Sequence, residues 1–326
     1  LKHIAFIMDG IMHRLGLHGR SFIPMLMGFD CNVPAIMAAK DIHNHKDRAL
    51  TMLMIPFMSC SARLPVYILF INVFFSQHKA LVLLSLYVIG IVLSFGFALI
   101  MKRTPWFKKP DEDCVNELPQ FKVPSIRSIG GHIWYRVEDF LKKISTVVLC
   151  ASIVIWALEF FPMQDLEHLE SSWLAAVGRF IEPLMQPLGF DWKMSVCLLT
   201  GLPAKEAIVS TFAILYNGDI TSAGFTPSTA YGFLVFTLLY FPCVATISTI
   251  RKELGWKWAT FSVINSLTLA WLTAAIVSMD KILVIGIVIA ASLILIRLVW
   301  QQRKLNCDGA CPDCPIRGEC KESKKC

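Results

Sequence analysis

Residues 201–207 read GLPAKEA, and the glycine that opens this stretch has a counterpart in GFDCNVP at residues 28–34. The register is set upstream, where LMQPLGF at 184–190 aligns without gaps with IMHRLGL at 11–17. Glycine or proline inside an apolar run interrupts a helix. Repeats whose apolar helices are interrupted at matching places are typical of transporters that bind their substrate between two halves. The sequence therefore predicts an internal repeat with broken helices.

The composition indicates a polytopic membrane protein. The 326 residues are 55% hydrophobic and 17% charged, with a mean hydropathy of +0.58. Soluble domains average about 25% charged residues. The net charge of +7 comes from basic residues in loops between apolar runs. This distribution is the orientation signal of a membrane protein, and it does not indicate a basic groove for nucleic acid.

Six apolar runs are long enough to cross a bilayer, which takes roughly 20 residues. They lie at 49–76, 80–101, 141–161, 230–250, 258–278 and 281–300. Two further regions, 1–39 and 174–216, have apolar limbs interrupted at 16–19 and 183–192, and we interpret them as re-entrant hairpins. The predicted fold class is an all-α, inverted-repeat helical bundle with two re-entrant hairpins and about six transmembrane helices.

The loop charges support the inversion. Six crossings with two hairpins put every Lys/Arg-rich loop, including 40–48, 102–143 and 251–257, on one side of the membrane, which is the cytoplasmic side by the positive-inside rule. Three crossings then separate the hairpins, so the first enters from the cytoplasm and the second from outside. Such inverted repeats place the substrate near the bilayer midplane.

The chain divides into four predicted regions: a first repeat at 1–101, a cytoplasmic insert with an interfacial amphipathic helix at 102–140, a second repeat with the final crossings at 141–300, and a cysteine-rich cytoplasmic tail at 301–326. The chain begins at Leu1 inside an amphipathic segment, so we expect it to be the downstream part of a longer protein. No phosphate-binding motif of the type GxxxxGK[ST] occurs in it.

Three cysteines lie at predicted helix breaks: Cys31, Cys60 after Pro56, and Cys243 after Pro242. A proline inside a span frees carbonyls of the preceding turn, and a thiolate adds a soft ligand suited to a divalent ion such as iron(II). The alternative is that each cysteine simply packs, as we expect of Cys150 and Cys197 in unbroken apolar context.

Oxygen ligands are also available near these breaks. Glu206 is an ionisable residue inside the second hairpin, where burial is costly, so it is a candidate ligand or else a partner of Lys205. Asp30 adds a hard oxygen, and Asn32 offers an amide oxygen or caps the next helical turn. Arg63 is expected to anchor a carbonyl or carboxylate. No catalytic residue is predicted.

The tail has a second cysteine group. Cys307, Cys311, Cys314 and Cys320 are followed by a fifth, Cys326. A Cys-x-x-Cys core in a reducing cytoplasm suits zinc or an iron–sulfur cluster better than disulfides. The alternative is an unstructured, redox-active tail.

Several of these motifs resemble one known family. GFDCNVPAI at 28–36, PFMSCSARLPVY at 56–67, AKE at 204–206 and FPCVAT at 241–246 are similar to ferrous iron transport protein B of bacteria. The resemblance runs from Leu1 to about Trp300, while Asp30 and Ser61 stand where the family is expected to have glycine.

The resemblance implies uptake of iron(II) across the bacterial cytoplasmic (inner) membrane, with Cys31, Cys60 and Cys243 along the iron path. It implies a nucleoside-transporter-like gate architecture and an amino-terminal GTP-binding domain, to which any GTPase activity with its GTP and magnesium would belong. Small cytoplasmic accessory proteins and homo-oligomers are possible partners; nucleic acid is not expected.

Two alternatives stay open from the residues. One is a carrier of a small organic solute such as a nucleoside, which predicts amide and hydroxyl side chains at the breaks where thiols dominate here. The other is a membrane metal or redox sensor built around the tail.

Overall fold

All regular secondary structure in the described part of the protein is helical. The computed structural model describes residues 12, 17, 19–42, 44–104, 107, 126–160, 172–216 and 226–279, and no β-strand occurs among them. The helices are α1 (Phe22–Gly28), α2 (Asn32–Ala39), α3 (His45–Met54), α4 (Leu64–Phe74), α5 (Lys79–Arg103), α6 (Ile126–Phe160), α7 (Trp173–Met185), α8 (Trp192–Thr200), α9 (Ala207–Leu215), α10 (Pro227–Leu239), α11 (Val244–Leu254) and α12 (Trp256–Met279). The predicted all-α class is confirmed.

Within the described residues, five helical stretches are long and apolar enough to cross a membrane: 45–74, 79–103, 133–160, 227–254 and 256–277. They coincide with five of the six predicted crossings; the sixth, at 281–300, lies outside the described residues. The helix predicted to lie in the interface before residue 141 is continuous with the next crossing, because α6 is a single helix of 35 residues.

Two of these stretches, both predicted crossings, are interrupted, and we call them the interrupted crossings. The first consists of α3 and α4, and the second of α10 and α11. At both interruptions the cysteine backbone is extended, with φ −78° and ψ 157° at Cys60 and φ −58° and ψ 151° at Cys243. Pro242 directly precedes Cys243, and Pro56 stands four residues before Cys60 in a short 3-10 helix, Ile55–Phe57, that follows α3. Neither proline has the N–H that would continue an α-helix. The breaks predicted at the cysteines are therefore present.

Two helical hairpins are present, and they turn at places other than the predicted breaks at 16–19 and 183–192. Residues 16 and 18 of the first predicted break lie outside the described residues. Helix α1 packs against α2, and α8 packs against α9. In the second hairpin the two ends meet, since the Tyr216 hydroxyl donates to the Asp191 carboxylate at 2.8 Å and Lys193 Nζ donates to the Leu215 carbonyl at 3.4 Å. The chain thus reverses at a tip, 29–31 in the first hairpin (α1–α2) and 201–206 in the second (α8–α9).

The turn expected at 183–192 is also present, with Gly189 in the left-handed region at φ 75°. It connects α7 to α8, so this region reverses twice where one reversal was predicted. An apolar run interrupted by proline and glycine does not reveal whether the chain continues or turns back. That the hairpins enter and leave by one membrane face stays a prediction.

Helix α7 is amphipathic and packs along the second hairpin. Its buried face packs against α8, where Gly178 permits a close approach: a Cβ at that position would stand 2.6 Å from Val196 Cγ2. Its exposed face is a stripe of large apolar side chains, as expected of a helix at a lipid boundary. The stripe consists of Trp173, Val177, Phe180 and Leu184.

The two halves interlock. Helix α2 of the first hairpin packs against α11 of the second interrupted crossing, and α9 of the second hairpin packs against α4 of the first. Ile36 and Ile250 share one buried cluster, and the Phe70 and Phe212 rings stand 5.1 Å apart in the other contact. Such an exchange is expected where two copies of one motif pack around a common centre.

Candidate functional site

The hairpin tips are joined to the interruptions by equivalent hydrogen bonds. In the first half, the Ser61 backbone N–H donates to the Asp30 carbonyl at 3.1 Å, and the Ser61 hydroxyl donates to the same oxygen at 2.9 Å. In the second half, the Val244 N–H donates to the Leu202 carbonyl at 3.2 Å. Ser61 and Val244 each follow the cysteine of their interruption, so the two donors occupy matching positions. In the register that aligns Gly28 with Gly201, the acceptor Leu202 stands one position earlier than Asp30 does.

The three predicted cysteines lie in the neighbourhood of these junctions. The Cys31 thiol, on the first tip, is near enough to Cys60 and Cys243 for their charges to act on it. Cys60 is buried and the other two are half-buried. The Cys243 thiol also lies 2.9 Å from the Thr246 hydroxyl, a contact that the sequence did not indicate. Three soft sulfur groups from one hairpin tip and both interrupted crossings therefore share one region.

The two comparison cysteines behave differently. Cys197 is completely buried within α8, and Cys150 is exposed on α6. Neither lies at a helix break. Cys197 packs as expected, whereas Cys150 is not packed within the described part of the chain.

Two buried basic side chains satisfy the carbonyls that the interruptions free. Arg63 donates to the Met58 carbonyl at 2.8 Å and to the Pro56 carbonyl at 3.3 Å, which confirms that it anchors backbone carbonyls. Lys205 donates to the Phe241 carbonyl at 3.0 Å. Irregular backbone at membrane depth requires such partners.

The sequence indicated Lys205 only as a partner of Glu206. Its Nζ also stands 4.2 Å from the centroid of the Tyr240 ring. It also lies near Arg63, Cys60 and Cys243, so it belongs to the same central region. The repeat register could have found it, because Lys205 aligns with Asn32 beside Cys31.

The predicted oxygen ligands lie around this centre in different environments. Asn32 is buried at the start of α2, and its side-chain oxygen has no hydrogen-bond partner among the described residues. It therefore does not cap the helix. Asp30 and Glu206 are exposed at the first and second tips. Their roles as ligands stay predictions.

Within the part of the chain that the structure describes, no group of three or more His, Cys, Asp or Glu side chains is arranged to hold a metal ion. The tail, with Cys307, Cys311, Cys314 and Cys320, lies outside the described residues, and so does the zinc or iron–sulfur site predicted there.

Family models match most of the chain. A model described as Gate: Nucleoside recognition covers residues 1–74 and 141–257, which is more than half of the chain. A model described as Ferrous iron transport protein B C terminus covers residues 83–136. No solved structure matches the chain at a significant level.

Curated relatives agree with the family models. A Fe(2+) transport protein A/Fe(2+) transporter FeoB fusion protein of Porphyromonas gingivalis is 40% identical over 85% of this chain and 40% of its own length. The Fe(2+) transporter FeoB of Staphylococcus aureus strain MSSA476 is 44% identical over 83% of this chain and 42% of its length. That of Methanocaldococcus jannaschii is 38% identical over 85% and 44%. The chain thus spans less than half the length of these relatives.

Hairpins joined to interrupted crossings, together with the Gate match, define the class of this chain as a multi-pass helical membrane protein of the nucleoside-recognition gate type. The second model and the relatives narrow that class. The chain belongs to the ferrous iron transport protein B family and corresponds to its carboxy-terminal membrane part.

Proposed function

We propose that this chain is a membrane permease domain that carries iron(II) inward across the cytoplasmic membrane. Cys31, Cys60 and Cys243, with Glu206, line the path at the junction of the two halves. The observation that supports the proposal is that Cys31, on the hairpin tip, lies near Cys60 and Cys243 at the two interruptions. The relatives, whose printed names describe Fe(2+) transporters, supply the substrate.

The chemistry of these groups suits a transported iron(II) ion. A thiolate is a soft ligand that binds a borderline divalent ion more readily than it binds magnesium or calcium. Because the thiol loses its proton on binding, capture depends on pH. The unpartnered Asn32 oxygen and the Asp30 carboxylate offer neutral and charged oxygen at the first tip. A set with few ligands at each position lets the ion leave again.

The thiol path is tested by replacing Cys60 or Cys243 with serine in the complete gene, in a strain that lacks other ferrous iron transporters. We expect uptake of radioactive iron(II) to fall by about tenfold, as for loss of a good ligand, without loss of membrane abundance. Cys197→Ser and Cys150→Ser are matched controls, because those thiols lie away from the breaks. Full uptake in both the Cys60→Ser and the Cys243→Ser variants would rule out the thiol path.

Two rival functions make different predictions. The matching Gate model is described by nucleoside recognition, so an organic-solute carrier predicts that excess nucleoside competes with iron(II) uptake. A sensor predicts that deletion of 304–326 abolishes function, whereas the permease keeps its uptake. The thiols at the breaks favour the permease.

The proposal includes an arrangement in the membrane. The first repeat covers 1–101, the insert 102–140, the second repeat with the final crossings 141–300, and the tail 301–326. The hairpins enter from opposite faces of a bacterial inner membrane, and the carboxy terminus is cytoplasmic. An amino-terminal GTP-binding domain works with this part. A protein resembling Fe(2+) transport protein A is a further partner, because the Porphyromonas relative joins the two names in one fusion.

A further inference from the structure

The interruptions have matching backbone carbonyls, and each carbonyl is held by a basic side chain. Met58 lies two residues before Cys60, and Phe241 lies two residues before Cys243. Arg63 donates to the Met58 carbonyl at 2.8 Å, and Lys205 donates to the Phe241 carbonyl at 3.0 Å. The same position of the repeat is therefore stabilised twice by the same kind of contact.

The origin of the basic side chain differs between the halves. Arg63 belongs to the interrupted crossing whose carbonyl it holds, so its contact does not depend on a hairpin. Lys205 belongs to the tip of the second hairpin, and it reaches across to the other element. The Val244-to-Leu202 backbone bond is the other hydrogen bond between this tip and the crossing in the described residues.

The Lys205 contact is built into the packing. Lys205 is only 3% exposed, and its amine stands over the Tyr240 ring, which itself precedes the carbonyl that Lys205 binds. The Tyr240 hydroxyl in turn donates to the Leu198 carbonyl in α8 at 3.4 Å, and its oxygen faces Gly201. Movement of the tip away from the crossing would break these contacts together.

We propose that Lys205 is a positioning residue that fastens the tip of the second hairpin to the Cys243 interruption and so sets how far the Cys243 thiol is exposed. The side chain holds the Phe241 carbonyl, which fixes the extended backbone that presents Cys243 two residues later. The relevance of this inference to iron transport rests on the proposed function. If Cys243 is part of the iron path, attachment of the second tip controls access to that thiol.

The test measures thiol exposure directly, so it does not depend on iron. Lys205→Met keeps most of the side-chain volume and removes the donor, whereas Lys205→Arg keeps a donor. Cells expressing the complete gene are treated with a membrane-impermeant maleimide, and modification of the peptide that contains Cys243 is followed in time by mass spectrometry. Loss of one hydrogen bond to a buried carbonyl predicts a labelling rate about tenfold higher in the Met variant.

Lys193→Met is the matched control. Lys193 also donates to a backbone carbonyl and lies near two aromatic rings, but at the opposite end of the second hairpin from the tip. We expect Cys243 labelling in this variant and in Lys205→Arg to stay near that of the unmodified protein. Labelling in Lys205→Met no faster than in Lys193→Met would overturn the inference.

A second variant protects the test against misfolding. Tyr240→Leu removes the ring under the Lys205 amine while leaving the amine in place, and it should raise Cys243 labelling by a smaller factor. Unchanged labelling there would also count against the inference. Iron uptake measured in cells of the same strain separates the role of Lys205 from the proposed thiol path. If Lys205→Met raises Cys243 labelling while Cys60→Ser and Cys243→Ser still transport iron, Lys205 fastens the tip but the thiols do not form the path.

Discussion

The two hairpin tips occupy matching places in the molecule but are attached differently. The first tip is held by two hydrogen bonds from one residue, the Ser61 N–H and hydroxyl, to the Asp30 carbonyl. The second has a single backbone bond from Val244 and adds a side chain of its own, Lys205, to the Phe241 carbonyl. The first crossing therefore satisfies its own interruption through Arg63, whereas the second crossing depends on its hairpin.

This difference shows that two copies of one structural motif can have different mechanical roles. Where the interruption carries its own donor, the hairpin can move without leaving a buried carbonyl unpaired. Where the donor comes from the hairpin, tip and crossing are coupled, because an unpaired buried carbonyl costs free energy. The predictions below test that coupling.

The largest effect is expected for Arg63→Met. Arg63 is fully buried and holds two carbonyls, so the variant leaves both without that donor and should lower the free energy of unfolding by about 3 kcal/mol. Lys205→Met, which frees one carbonyl, should cost about half as much. Thermal unfolding in detergent compares the two variants. Equal losses would contradict the assignment of Arg63 to two carbonyls and Lys205 to one.

A smaller effect is expected from adding a methyl group at the aligned glycines. A Cβ at Gly201 would stand 2.5 Å from Ile208 Cγ1 and 2.7 Å from the Tyr240 hydroxyl oxygen, whereas at Gly28 the nearest atoms are Met58 Cβ and Cγ at 3.4 Å. Gly201→Ala should therefore cost about 1–3 kcal/mol through overpacking, and Gly28→Ala much less.

Retention on size-exclusion chromatography after graded heating would rank these alanine variants. The comparison fails if Gly28→Ala is the more damaging of the pair, because the first tip would then be the more tightly packed.

The smallest effect is expected from exchanging the residues that follow the two cysteines. Ser61→Ala removes one of the two bonds to the Asp30 carbonyl and, at an exposed position, should cost about 0.5 kcal/mol. Val244→Ser offers the Leu202 carbonyl a second donor. Amide hydrogen exchange measured by mass spectrometry should become faster at 29–31 in the first variant and slower at 201–206 in the second. No change at either tip would show that the hydroxyl is irrelevant there.

The sequence predicted the breaks well because their signals are local. Proline and glycine inside apolar runs located the interruptions at Cys60 and Cys243, and the position of Arg63 beside freed carbonyls indicated what it would bind. Hydropathy likewise located the five described helical stretches that are long and apolar enough to cross a membrane. These are properties of a few adjacent residues, so they can be identified without knowledge of the fold.

What the sequence did not predict depends on contacts between distant residues. Whether the chain continues past 201–206 or reverses there is decided by the packing of α8 on α9, and the spacing of the turn residues does not encode it. The role of Lys205 follows from Phe241, 36 residues later. Thr246 beside Cys243 was missed because a threonine on an apolar helix gives no distinctive signal.

The interlocked halves constrain how the protein is made. Helix α2 finds its packing partner in α11, which is synthesised about 200 residues later, and at translation rates of about 5–20 residues per second the wait is on the order of 10–40 s. During that interval the early hairpin lacks the surface against which it finally packs. Assembly of the newborn protein is therefore a late event. A ribosome that stalls before α11 is made leaves a product in which α2 lacks this packing partner.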